Sequence, residues 1–331
     1  MFDTRDHGGV FSAGRHPFIR VLAALLLGFS GSAQARQALP YPEGTLTADQ
    51  IAQQVYAAAH GGLVKNAVSK RHNNAVALVV NRAPLELRGP GRRPSIETFD
   101  TYVNNSPDDP AIDSMQMAIL TSGKVKGTGV LLTRYTDKER GATISMWLPA
   151  LRKIRRINEP AYEDVWFGTN LTYGEIVLRQ PEDETHELLG EGKLEDCLPA
   201  MELAQFEISR YTKELPGPQC GHKGKPIYRL KSTTKFKNWW YDYHVSEIDK
   251  KSFSPYRTVY FKDDEKIKTV VVDWQSLDQP DPRITYPRYI YAVTHTDGKD
   301  SMVYVPRSTI TLNEDLPDSF WSDETLKSYG D

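Results

Sequence analysis

The chain has 331 residues, with 41 Lys and Arg against 43 Asp and Glu, a formal net charge of −2, 39% hydrophobic residues, 17 Tyr and 6 Trp. That length can bury a large core in one big domain or two, and the near-neutral balance excludes the basic surface that nucleic acid requires. So many amphipathic rings suit pleated, half-wet strand surfaces.

The first segment reads as an address. Arg15 and Arg20 precede an apolar run from Val21 to Phe29, and Ala33-Gln34-Ala35 follows. A cationic stretch, a short apolar core and an A-x-A site predict a secretory signal peptide over 1–35, cleaved after Ala35. The run is too short to span a bilayer, which takes about 20 residues, and no cysteine stands at the cleavage point to take a lipid anchor. The expectation is a periplasmic chain starting at Arg36, with 36–331 a single domain and insertions near 73–110 and 197–225.

One helix is then predicted, capped by Thr47 with Gln50 three residues on. Ile51, Val55 and Ala58 line one face, and Gly61-Gly62 ends it. Residues 73–110 are mixed, and Arg88 to Pro94 is a loop rich in Gly, Pro and Arg. Beyond it the pattern turns to period two. Met115, Met117 and Ile119 alternate with polar or small residues. Ile144, Met146 and Leu148 alternate with Thr143, Ser145 and Trp147, and Ala204, Phe206 and Ile208, and Tyr241, Tyr243 and Val245, alternate with polar residues. Further apolar runs cover 266–274, 289–293 and 302–312, separated by charged or Pro/Gly turns. Regular short strands with one apolar face predict a large antiparallel sheet or barrel. A short final helix is expected with Ser322 as its cap.

Cys197 and Cys220 are the two cysteines. In an oxidising compartment they most simply form one disulfide, closing a loop worth on the order of 3 kcal/mol in the chain-entropy model. Pro199, Pro216 and Pro218 lie between them, as in a stapled excursion. The alternative, Cys220 and His222 as metal ligands, lacks a second matching pair, so no metal is expected.

The search for chemistry returns little. The chain has no G-x-S-x-G elbow, H-E-x-x-H, P-loop or G-x-G-x-x-G. His60, His72, His186, His222, His244 and His295 are scattered singly, and His244 falls on the polar side of its strand. No catalytic residue and no cofactor is expected. The densest local signal is Trp147 to Ile157, where Arg152, Lys153, Arg155 and Arg156 surround Ile154 in a hairpin. It reads either as a solvated strand edge that resists aggregation or as a docking patch for anionic headgroups or an acidic partner. Trp166, Phe167, Leu171 and Tyr173 around Gly168 read either as core or as an aromatic lip on a cavity.

Three segments stand in a telling order: Lys126 to Tyr135, Met146 to Ile157 and Trp166 to Ile176. With Leu46 to Val55, Pro255 to Trp274 and Leu312 to Leu326, they make the chain resemble the outer-membrane lipoprotein-sorting-protein-like family, the LolA/LolB-like periplasmic proteins. The resemblance covers the first helix and most of 115–326. It implies a mainly β, α+β fold: a strongly curved antiparallel sheet forming a half-open barrel, with helices plugging its concave side. It also implies an apolar space that binds acyl chains of a lipid or lipidated protein, for transfer across the envelope. An alternative it allows is an accessory subunit docked on a resistance-nodulation-division (RND-type) lipid exporter. The chain is expected to be a monomer and not an enzyme. Met115, Met117, Met146, Leu148, Trp166, Phe167, Tyr173, Tyr241 and Tyr243 are the expected lipid-binding residues, since methionines and rings adapt to varied chains. Which strand face is concave does not follow from the sequence.

Overall fold

The computed structural model describes residues 39–329 except 60, 61, 82, 92, 138, 139, 167 and 178. The signal peptide and its cleavage point lie outside the described residues, as do His60, Gly61 and Phe167.

Helix α1 (Ala48–Ala59) comes first. Strands β1 (Asn66–Ser69), β2 (Val76–Asn81), β3 (Ser95–Asn104), β4 (Ile112–Leu120), β5 (Gly129–Tyr135), β6 (Thr143–Leu148) and β7 (Lys153–Ile157) follow. The connection to β8 (Glu184–Lys193) carries the one-turn helix α2 (Tyr173–Ile176). Then come β9 (Pro226–Thr234), β10 (Tyr243–Asp249), β11 (Pro255–Lys262), β12 (Glu265–Ser276), β13 (Thr285–Thr294), β14 (Asp300–Tyr304), β15 (Ile310–Leu312) and helix α3 (Asp323–Ser328).

Among the described residues these strands make one antiparallel sheet in the order β7-β6-β5-β4-β3-β2-β14-β13-β12-β11-β10-β9-β8. Its two ends, β7 and β8, are not paired with each other, so the barrel is half open. At β3 the sheet forks. Ser95–Phe99 pair with β2, whereas Thr101–Asn104 pair with β1, which in turn pairs with β15. Residues 73–110, expected as an insertion, thus supply β2 and β3 to the middle of the sheet.

Strict alternation sends neighbouring side chains to opposite faces. The concave face carries Val76, Leu78, Phe99, Val130, Ile144 and Met146, covered by Trp166, Leu171 and Tyr173 from the β7–β8 connection. Further round, α1 lays Ile51, Ala52 and Ala58 on Tyr228, Leu230 and Ile248. These two segments are the expected plugs. The helix starts as the sequence predicts: Thr47 N–H donates to Gln50 Oε1 (2.9 Å) and Gln50 N–H to Thr47 Oγ1 (3.2 Å).

The convex face is covered by two other segments. Residues 194–215 place Leu194, Leu198 and Met201 over Val79, Val271 and Met302, and the Cys197–Cys220 disulfide closes that excursion. The C-terminal segment lays Trp321 and Leu326 over Met117, Leu131 and Trp147. Ser322 caps α3, accepting from Thr325 N–H at 3.3 Å. Gly129 permits its close approach, because a Cβ there would lie 2.8 Å from Leu326 Cδ2.

Two expectations are corrected. Ala204 to Ile208 is not a strand: a 3-10 turn covers Gln205–Glu207. Its backbone is satisfied locally, with Ala204 N–H donating to the Glu207 carboxylate at 2.8 Å, while the buried Glu207 lies 3.5 Å from the Arg88 guanidinium. In β10 the buried side is His244 and Ser246, and Tyr243 and Val245 are half-buried. Hydrogen bonding to other buried polar groups outweighs the hydropathy pattern there.

Candidate functional site: an apolar cavity under the fork

The fork at β3 creates a hollow. On one side the branch presents Ala67 and Ser69 of β1, Thr101 and Val103 of β3, and Ile310 and Leu312 of β15. These residues share a face because the register pairs Ala67 with Val103 and Leu312, and Ser69 with Thr101 and Ile310. Opposite stand Thr258 and Tyr260 of β11, Val270 and Val272 of β12, and Ile290 of β13. Val272 pairs with Ile290, and Thr258 with Val270. The last turn of α1 and residues Leu63 and Val64 close one end, and Leu171, just before α2, and Ile176, its last residue, close another. The cavity volume is about 170 Å³. An apolar void of about 150 Å³ takes up benzene and stays dry.

The charges in this wall are neutralised. Glu175 caps α2, accepting from Thr172 N–H at 2.8 Å, and its two oxygens receive Lys268 Nζ at 3.0 and 2.9 Å. Gly174 lets this turn pack tightly, since a Cβ there would sit 2.8 Å from Trp240 and 3.1 Å from the Tyr162 carbonyl. Arg283 donates to Asp281 (2.6 Å), to Gln54 Oε1 (2.8 Å) and to the Leu39 carbonyl (2.7 Å). A buried charge without such partners would be costly. With them, the cavity offers hydrocarbon-compatible surface and no free ion.

Beside Tyr260 lies a buried polar network. Glu184, the first residue of β8, accepts from Tyr241 Oη at 2.8 Å and lies 3.2 Å from His244 Nε2 and 3.5 Å from Arg179 Nε. Arg179 also stands over the Tyr241 ring, 4.8 Å from its centroid. Burial by itself raises the Glu184 carboxyl. The charges of His244 and Arg179 and the hydrogen bonds from His244 and Tyr241 outweigh it and hold the group well below the usual carboxylate range. Ser246 Oγ is 3.3 Å from His244 Nδ1 and 3.0 Å from Thr258 Oγ1. Serine, histidine and carboxylate therefore stand in line, as in a hydrolytic triad. Yet Ser246 is buried and is not among the cavity-lining residues, so the line presents no nucleophile to the cavity. Its geometry ties β8, β10 and β11 together.

A second buried pair works on the convex side. His222 Nε2 lies 2.7 Å from Asp273 Oδ1, and Arg288 and Gln275 meet the same carboxylate. Burial would raise Asp273, but these partners lower it below its ordinary value. The pair pins the disulfide excursion to β12.

The expected lipid-binding residues are dispersed. Met146 and Leu148 sit in or against the concave core with Trp166 and Tyr173. Tyr173 Oη donates to Glu159 at 2.6 Å. Met115 and Met117 lie on the convex face beneath the C-terminal segment. Tyr241 is buried in the Glu184 network, and Tyr243 stacks on Phe261 with rings 4.7 Å apart. Among the described residues none of these lines the cavity. The actual walls, such as Val270 and Val272, sit in an unbroken run of three valines whose facing cannot be read from period two. The hairpin cations Arg152, Lys153, Arg155 and Arg156 are all exposed, far along the sheet at its β7 end.

Comparison with known proteins fits this architecture. No curated protein matches the chain in sequence. A family model described only as an uncharacterized protein matches residues 112–215, from β4 into the disulfide excursion. Among solved structures, the chain is similar to an outer membrane lipoprotein-sorting protein domain from Vibrio parahaemolyticus. The two share 15% identity at a TM-score of 0.57 over 85% of this chain and 98% of that one. It is also similar to a DUF1329 family protein from Desulfovibrio piger, with 15% identity and a TM-score of 0.59 over 85% of this chain and 100% of that one. At this identity the likeness shows a shared fold and nothing finer.

Proposed function

We propose that the protein is a non-enzymatic carrier of the cell envelope that takes the uncharged hydrocarbon part of a lipid or lipid-modified molecule into the cavity under the sheet fork. The observation that carries this reading is a void of about 170 Å³ walled by Val270, Val272, Ile290, Ile310 and Leu312, whose charged neighbours are already paired. Moving hydrocarbon from water into such a site gains about 0.8 kcal/mol per CH₂. That gain lets a soluble protein hold an insoluble cargo and still release it to a membrane. The export segment read from the sequence supports a periplasmic setting, and the Vibrio domain's description as lipoprotein-sorting supports the cargo class.

Mass spectrometry of an organic extract of the protein, purified from bacterial periplasm, tests the reading. It predicts a co-purifying lipid in near-stoichiometric amount. Absence of lipid, together with no uptake of a fluorescent fatty acid, would overturn it.

A further inference from the structure

The two free edges of the half-open sheet carry opposite charge. Edge β7 and its turn hold Arg152, Lys153, Arg155 and Arg156, all exposed. None of the four takes part in an ion pair among the described residues. Arg152 turns the chain in the left-handed region, φ 48°, and beside it Leu151 at the hairpin tip is 53% exposed. Edge β8 and its continuation hold Glu187, Glu191, Glu195 and Asp196, likewise exposed, interrupted by Lys193. Two of these have intramolecular partners, Glu191 with Lys250 at 2.6 Å and Glu195 with Arg229 at 3.6 Å, both on the protein surface. Leu189 on this edge is 50% exposed. Among the described residues no strand is hydrogen-bonded to the outer side of either edge.

We propose that the occupant of each edge is a second copy of this chain, with β7 of one molecule adding to β8 of the next. Charges on sheet edges ordinarily prevent edge-to-edge pairing. Two edges of the same sign would do so completely, and opposite signs do not. Here β7 against β7 sets four cations against four cations, and β8 against β8 sets carboxylates against carboxylates. Only the β7–β8 pairing is attractive, and it adds main-chain hydrogen bonds by strand addition. Such a contact is heterologous. Each added copy leaves a free β7 at one end and a free β8 at the other, so the product is an open row or a ring. Successive molecules would then share one continuous sheet, and the expectation of a monomer holds only for dilute protein.

The test is sedimentation of the full purified protein at rising concentration, in low and high salt. The expected result is a mass that grows with concentration at low salt and falls back to the monomer near 1 M, where charges are screened beyond about 3 Å. Two charge-reversed variants decide the specificity: Arg152→Glu, Lys153→Glu, Arg155→Glu and Arg156→Glu together, which makes both edges acidic, and Glu187→Lys, Glu191→Lys, Glu195→Lys and Asp196→Lys together, which makes both basic. Each alone should associate at least tenfold more weakly than the wild type, and an equimolar mixture should regain assembly by alternating the two. Circular dichroism and fatty-acid uptake should stay unchanged in both, since neither edge lines the cavity. A wild type that stays monomeric, assembly that ignores salt, or a mixture that fails to assemble while both variants are folded would overturn the proposal. Binding of the hairpin to anionic phosphatidylglycerol vesicles without self-association would also overturn it, assigning the cations to a membrane surface.

Discussion

The two faces of the sheet are built from similar apolar residues and end differently. On the convex face, the disulfide excursion and the C-terminal segment pack over the strands, and Met117, Val271 and Met302 are essentially inaccessible. On the concave face, α1 and the β7–β8 connection cover the two flanks and leave the space beneath the fork empty. A closed face buys rigidity, and an incompletely covered one leaves room for cargo. Substitutions on the two faces should therefore have opposite signatures.

The largest effect is expected at the polar seam of the concave side. Glu184→Gln leaves Arg179 buried without its counter-charge and should cost about 3–5 kcal/mol in chemical denaturation. The pH dependence follows from the same group. Its folded value lies below that of the unfolded chain, so its contribution is fully present above the ordinary carboxylate range near about 4.3. It is lost as pH falls through the lower folded value, and the variant should show a flatter acid limb. Next, Met117→Ala on the convex face should destabilise by about 2–5 kcal/mol through a cavity that the C-terminal segment cannot fill, with fatty-acid uptake unchanged. Removing the disulfide by Cys197→Ala with Cys220→Ala should cost on the order of 3 kcal/mol, again without affecting uptake. The smallest change in stability belongs to the cavity itself. Ile290→Trp fills existing space and should shift stability by within about 1 kcal/mol, yet it should weaken uptake at least tenfold, about 1.4 kcal/mol.

Much of the fold was legible from the alternation. The strands read at 115–119, 144–148 and 289–293, the Thr47 and Ser322 caps and the Cys197–Cys220 bridge all rest on local rules that tertiary packing did not override. The site was not legible, for identifiable reasons. Met115 and Met117 alternate as cleanly as Ile144 and Met146 do, but period two fixes only that residues share a face, and the curvature of the sheet decides which face is inside. At β10 the pattern pointed to Tyr243 and Val245, whereas His244 and Ser246 are buried because Glu184, sixty residues earlier, and Thr258 satisfy them. The cavity depends on the fork at β3, where β1 and β2 share one edge of a single strand. That long-range pairing leaves no mark in either segment.

Titration with a fluorescent fatty acid, run in parallel on the wild type, Met117→Ala and Ile290→Trp, addresses the cavity most directly. The wild type and the convex-face variant should bind the probe saturably with the same affinity, and the Ile290→Trp protein should lose it while remaining folded. Equal uptake by all three, or none by the wild type, would contradict a hydrocarbon site beneath the fork.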